Sequence, residues 1–192
     1  MIKAGVVYHS VCGSTKTLAE ATADGINSIS GCEGVTFAVE AKHIQHGRYE
    51  NPDLMHRLDQ CDGIVLGSPT FMGSVSAQFK AFMDAASERY SSRGWVDKLS
   101  AGFTIGSNFS GDQLNTLTTL QIFAAQMGML WVPNDILPNL DVQGRNRSGC
   151  QSGLVAVVNS EGAVHELDRL TALYLGERIG RLLKRFSPCG SI

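Results

Sequence analysis

No apolar run in this 192-residue sequence approaches the ~20 residues that cross a bilayer, so no membrane span is expected. Charge of one sign is scarce as well: 16 Lys and Arg stand against 18 Asp and Glu, a formal net charge of -2. That balance gives no electrostatic footprint for nucleic acid or for an anionic membrane surface. The five cysteines, Cys12, Cys32, Cys61, Cys150 and Cys189, are odd in number and contain no C-x-x-C pair. Such scatter speaks against a disulfide framework and shows no zinc pattern. His43 and His46 lie in a polar stretch without a second pair of ligands, so no metal site is expected. The first residues lead into a strand pattern rather than a signal peptide, which predicts a cytoplasmic protein.

Apolar residues at 43% and charged residues at 18% are ordinary for a globular chain, and the length predicts one domain over residues 1–192. Strand and helix patterns alternate along it. Lys3–Tyr8 reads as a first strand and Ser14 to about Ile29 as a first helix; Gly34–Glu40 is a second strand, and Asn51-Pro52 opens a short helix. Asp62–Ser68 is a continuous apolar run, as in a strand buried on both faces. A helix over Val75–Ala86 follows, with Phe79, Phe82 and Met83 on one stripe. Leu99–Ser107 and Met129–Val132 are the fourth and fifth strands, flanking a helix over Asp112–Met127 that Gly128 ends. Pro133–Ser152 reads as a long loop, Leu154–Asn159 as a short strand or the end of that loop, and Leu167–Phe186 as a final amphipathic helix. Strict β/α alternation implies a three-layer α/β/α fold, a doubly wound parallel sheet with helices on both faces.

Ligands of such sheets sit beyond the carboxyl ends of the strands, at the switch in strand order. Three loops fall there. The first carries Ser10, Cys12, Gly13, Ser14, Thr15 and Thr17 ahead of a helix, so hydroxyls and backbone N–H groups suit a phosphate monoester. It lacks both the G-x-x-x-x-G-K-[ST] and the G-x-G-x-x-G patterns. The second, Ser68-Pro69-Thr70-Phe71-Met72-Gly73, offers a stiff turn, an aromatic ring and a glycine that lets a flat ligand approach. The third, Ser107-Asn108-Phe109-Ser110-Gly111-Asp112, adds N–H donors and another ring. Phosphate donors, a planar shelf and a polar edge together describe a site for flavin mononucleotide (FMN).

The chain resembles the flavodoxin-like superfamily, most closely the NAD(P)H:quinone oxidoreductases of the tryptophan-repressor-binding-protein type. Tyr8–Ser14 with Thr17, the long stretch Gly67–Asp84, Phe103–Gln113 and Gln126–Met129 carry the resemblance, in order, over residues 3–133. The resemblance implies a five-stranded sheet in the order 2-1-3-4-5. It also implies FMN phosphate on the first loop, the isoalloxazine flanked by Pro69 to Gly73, and Ser107 to Asp112 along the ring edge. Tyr90 would approach from a neighbouring subunit of a homodimer or homotetramer. The implied function is two-electron, NAD(P)H-dependent reduction of a quinone-like acceptor, with the chemistry on the flavin and no catalytic side chain. The chain departs from the family at Gln126-Met127, where a histidine often precedes the glycine, and in a shorter segment between the second and third strands.

Competing readings rest on fewer residues. A phosphatase built on Cys12 needs an arginine about six residues on, where the chain has Leu18; a response regulator needs acidic residues where His9-Ser10 stand. Asp84, Glu88 and Asp112 form no paired carboxylate constellation. Lys16 reads as solvent-facing, Met127 and Met129 as core, and Trp95 and Trp131 as either pocket lining or core. A flavodoxin-type single-electron carrier and a flavin-free interaction module remain as alternatives, since fold does not fix function.

Overall fold

The computed structural model describes residues 1–187; Cys189 lies outside the described residues. In chain order the elements are β1 (Ile2–Tyr8), α1 (Ser14–Asn27), β2 (Cys32–Ala38), a small hairpin of β3 (Ile44–Gln45) and β4 (Arg48–Tyr49), and α2 (Pro52–Asp59). They continue with β5 (Gly63–Phe71), β6 (Ser74–Val75), α3 (Ala77–Ala85), α4 (Ser87–Ser92), β7 (Leu99–Gly106), α5 (Gln113–Gln126), β8 (Leu130–Trp131), β9 (Leu154–Val157) and α6 (Glu166–Phe186).

The main sheet runs β2-β1-β5-β7-β8, parallel at every step, which is the expected 2-1-3-4-5 order of a flavodoxin-like doubly wound fold. Successive side chains of β1 point to opposite faces. Val6 and Tyr8 therefore join the core under α1 and α6, with Leu18, Ile26, Leu175 and Ile179. Val7 faces the other core, under α2, α3 and α5, with Leu58, Phe79, Phe82, Leu117 and Leu120. Trp95 is fully buried in that second core, and its indole N–H donates to Asp59 Oδ1 at 2.7 Å, so it is core rather than pocket lining.

Two strands differ from the sequence expectation. The fifth position beside β7 is shared: β8 pairs with Leu99 and Ser100, and β9 pairs with Phe103–Gly106. Pro133 has no N–H to continue the ladder after Val132, whose N–H donates to Ser100 O at 2.7 Å. Residues 132–153 leave the sheet at that point and return as β9, so Leu154 begins a true strand. The third strand of the sequence reading also runs on past Ser68. β5 reaches Phe71 and turns back into β6, pairing Thr70 with Val75 and Phe71 with Ser74. The two-residue turn has both central residues at positive φ, Met72 at 48° and Gly73 at 74°, the geometry that matches strand twist in a tight hairpin. Val75 is consumed by this hairpin, and the following helix starts only at Ala77, capped by Ser76 Oγ, which accepts from Phe79 N at 3.2 Å.

α1 and α6 lie very close together. A Cβ built on Gly176 would fall 2.0 Å from Thr22 O, and one on Gly25 would fall 1.9 Å from Leu173 O. Only glycine permits that approach. Among the described residues no helix is long and apolar enough to cross a membrane.

Candidate functional site

The first loop leaves β1 at Tyr8 and enters α1 at Ser14. Gly13 sits at the helix N-cap with φ 93°, no side chain caps the helix, and no acidic residue occupies its first turn. The N–H groups at that end have no carboxylate or hydroxyl partner from the cap position, which leaves them for an anion. The loop is held in shape from within: Gly13 N donates to Ser10 Oγ at 3.1 Å, and Thr17 donates to Gly13 O through both its N–H (2.9 Å) and its hydroxyl (3.2 Å). Thr15 is buried, Ser14 half-buried and Cys12 exposed; a Cβ on Gly13 would meet nothing within 4 Å, so the space above the loop is open.

The second loop is the β5–β6 hairpin. Pro69 lies inside β5, buried and opposite Ile105, so it stiffens the strand rather than walling the cleft. Thr70 Oγ1 is joined to Thr104 Oγ1 (2.7 Å) on β7 and to Thr116 Oγ1 (2.8 Å) on α5. Asn115 Nδ2 donates to Gly73 O at 2.7 Å and pins the turn to α5. Phe71 and Met72 project from the turn, Met72 being fully exposed.

The third loop follows β7, and every residue from Ser107 to Asp112 is exposed. Gln113 fastens it: its Nε2 donates to Asn108 O at 2.7 Å and its N–H to Ser110 O at 3.0 Å. The other side-chain atom, Gln113 Oε1, is buried without a partner. An unmade acceptor of this kind is costly unless a ligand or water donates to it.

Second and third loops enclose a cleft of about 650 Å³, with Thr70, Met72 and Gly73 on one wall and Ser107, Asn108, Gly111 and Asp112 on the other. That volume lies within the ~300–1,000 Å³ usual for small-molecule sites. Beside the first loop is a second depression of about 570 Å³, bordered by Ser10, Gly13, Lys16 and Gln78. A buried polar network joins His9, at the start of that loop, to β5 and to the start of α3. His9 N donates to Gly67 O at 3.0 Å, His9 Nδ1 pairs with Ser76 Oγ at 2.8 Å, and Ser76 N donates to Ser68 Oγ at 3.0 Å. Burial pushes the His9 imidazole below its ordinary pKa, so the network is built on the neutral ring. Sequence reasoning gave His9, Ser76, Thr104, Thr116 and Asn115 no part in the site. Ser76 alone carries a local signal, as an N-cap.

Tyr90 lies elsewhere. It is half-exposed on α4, at a separate groove of about 370 Å³ between α3 and α5 that Met83, Ile122 and Gln126 also border. Lys16 is exposed and pairs with Glu20 at 3.6 Å, as expected of a solvated helix residue. Open N–H donors in the first loop, a cleft of the right size and an orphaned acceptor beside it fit a phosphate monoester joined to a flat, hydrogen-bonding ring.

Comparison with known proteins agrees with that chemistry. The family model described as NADPH-dependent FMN reductase matches residues 5–139. Flavodoxin FldP of Pseudomonas aeruginosa (strain UCBPP-PA14) is 32% identical over 190 residues, 95% of this chain and 97% of that protein. An NAD(P)H dehydrogenase (quinone) of Trichlorobacter lovleyi is 30% identical over 145 residues, 69% of this chain and 71% of its own. Among solved structures, a flavodoxin, WrbA-like protein from Agrobacterium tumefaciens superposes with a TM-score of 0.74 at 33% identity, covering 96% of this chain and 99% of that one.

Proposed function

The chain belongs to the NADPH-dependent FMN reductase family, and on that premise we propose that it is an FMN-dependent NAD(P)H oxidoreductase that passes two electrons at a time to quinone-like acceptors. FMN, when bound, supplies the redox chemistry between the reduced nicotinamide and the acceptor. The protein's part is to bind, orient and exclude water. Backbone N–H groups of Cys12, Ser14 and Thr15, with the Ser10 and Ser14 hydroxyls around them, hold the phosphate in this reading, while the Gly13 N–H and the Thr17 hydroxyl keep the loop in shape. Thr70 to Gly73 and Ser107 to Asp112 flank the ring, and Pro69 stiffens the strand that presents the hairpin. No protein acid or base is required.

The observation that carries the proposal is the apolar rim of the site. Val11, Phe71, Met72 and Phe109, drawn from all three loops, are 63%, 47%, 103% and 62% exposed. Apolar side chains left exposed on all three loops mark a surface that is covered in use, and a flat apolar acceptor covers it without needing charge. A second reading has its own support: the relative matched over 95% of this chain is named a flavodoxin, whereas the quinone dehydrogenase matches 69%. In that reading the same rim receives a protein partner and single electrons pass.

The deciding experiment follows NADPH oxidation by the FMN-saturated protein with a simple quinone, under conditions where free FMN is inert. Rapid turnover supports the oxidoreductase. Tight flavin binding without NAD(P)H oxidation, with reduction only through a protein reductase, supports the carrier, and no flavin binding removes both. The reading also includes a homodimer or homotetramer in the cytoplasm; light scattering of the purified protein checks the assembly.

A further inference from the structure

We propose that Arg147 is a positioning residue: it holds the Phe109 ring in place and, through that ring, sets the affinity for a flat, quinone-like acceptor. The second half of the proposal rests on the reading of the cleft given above.

Phe109 is the aromatic tip of a loop that is fastened on either side of it, at Asn108 O and Ser110 O. The residue is 62% exposed. What faces it is a guanidinium: Arg147 Cζ lies 4.9 Å from the ring centroid. Arg147 comes from residues 132–153, the segment that splits the fifth strand, so it reaches Phe109 from a part of the chain outside the three loops.

The guanidinium is itself fixed. Nε donates to Asp168 Oδ1 at 2.8 Å, and Nη2 donates to Asp168 Oδ2 at 2.7 Å and to Val157 O at 3.0 Å. Asp168, in the first turn of α6, is 1% exposed and also accepts from Val157 N at 3.0 Å. A bidentate fork fixes the plane of the group as well as its position, something a lysine cannot reproduce. Because Asp168 neutralises the charge, what Arg147 offers Phe109 is a flat face at a defined place.

The backbone around Arg147 is held at a cost. Asn146 is buried at φ 52°, with its N–H on Thr171 Oγ1 at 2.8 Å and its Nδ2 on Ile136 O at 2.9 Å. Its Oδ1 and the neighbouring Ser148 Oγ are buried without partners. Left-handed backbone at a non-glycine residue, next to unmade hydrogen bonds, persists where surrounding structure imposes it, and such places cluster at functional sites. If the ion pair served only to join residues 132–153 to α6, changes at Arg147 would alter stability and leave the cleft unaffected.

The test uses the full chain in two arms. In the flavin-free protein, F109W adds an indole whose anisotropy, taken as the difference from the parent, should be high and should fall when R147K is added. No fall overturns the holding role. In the FMN-loaded protein, F109L and R147K should each raise KM for a flat quinone about five-fold, a larger change than either makes in kcat. F109W should restore KM, and the F109L/R147K pair should be no worse than either alone. Additive effects, or KM unchanged in both single variants, overturn the proposal. R147K keeps a cation against Asp168 and F109L leaves the ion pair whole, so both should fold, which their melting temperatures check. Failure of the parent protein to bind FMN or oxidise NADPH would remove the reading of the cleft and the affinity role with it, while the anisotropy arm would still decide whether Arg147 holds Phe109.

Discussion

Replacing Gly176 with alanine tests whether the contact between the helix that opens at the first loop and the C-terminal helix is as tight as it looks. The new Cβ would lie 2.0 Å from Thr22 O, 2.9 Å from Thr22 C and 3.0 Å from Ile26 N, all backbone atoms of α1. Ordinary contacts lie near ~3.5–4.0 Å. Backbone cannot rotate aside as a side chain does, so α1 and α6 must part by about 1 Å or more, loosening Leu18, Ile26, Leu175 and Ile179 in the core between them. Overpacking of this kind costs roughly 1–3 kcal/mol, occasionally more. Alanine is better than glycine inside a helix by about 1 kcal/mol. A backbone clash belongs at or beyond the upper end of the overpacking range, so the net loss should be about 2–3 kcal/mol, or ~4–12 °C in melting temperature for a domain of this size. Gly180, one turn further on, is the control. Its Cβ would meet Ile29 Cγ1 at 2.9 Å and Ile29 Cβ at 3.1 Å, with the nearest backbone atom, Ile26 O, at 3.5 Å, a milder overlap than that at Gly176. G180A should therefore cost clearly less than G176A. Urea denaturation with an unchanged m-value reads both variants. A G176A protein as stable as the parent, or one no worse than G180A, refutes the reasoning.

Two further outcomes follow from the site. Gly13→Val puts a branched side chain at φ 93°, into the open space above the first loop; FMN affinity, measured by quenching of flavin fluorescence, should fall about ten-fold or more, the equivalent of one charge-assisted hydrogen bond. Equal affinity would remove that loop from the site. His9 is buried and its pKa lies below the ordinary value, so the unfolded chain binds the proton more readily than the folded one. Its stability contribution is whole above about pH 6.5 and is lost as pH falls from there toward the depressed folded value. H9Q, whose amide is still able to bond Ser76, should flatten that acid limb in denaturation midpoints taken from pH 7.5 down to 5; an unchanged limb would show that the imidazole does not cause it.

Much of this architecture is local and was legible in the chain itself. Apolar runs such as Val6–Tyr8 and Ile64–Leu66 demand burial whatever surrounds them, their alternation with helical patterns demands a parallel sheet with helices on both faces, and Gly13 with its hydroxyl neighbours marks a candidate anion loop before any coordinates are known. The sheet order entered through resemblance and agrees with the structure. What the sequence hid depends on pairs of distant positions. Val75 reads as the start of a helix until it is seen paired with Thr70, and a left-handed Met72 has no local signature because the hairpin imposes it. His9 meets Ser76 across 67 positions, and Gly176 is needed only because Thr22 lies against it. Nothing local sets Arg147 apart, and only the fold brings Asp168 and Val157 to hold its guanidinium over Phe109. Composition and periodicity record what each residue does to its own stretch of backbone and whether it must be buried. Which partner it then finds is set by the close packing of elements far apart in the chain, and that decided where the three loops stand at the edge of the sheet.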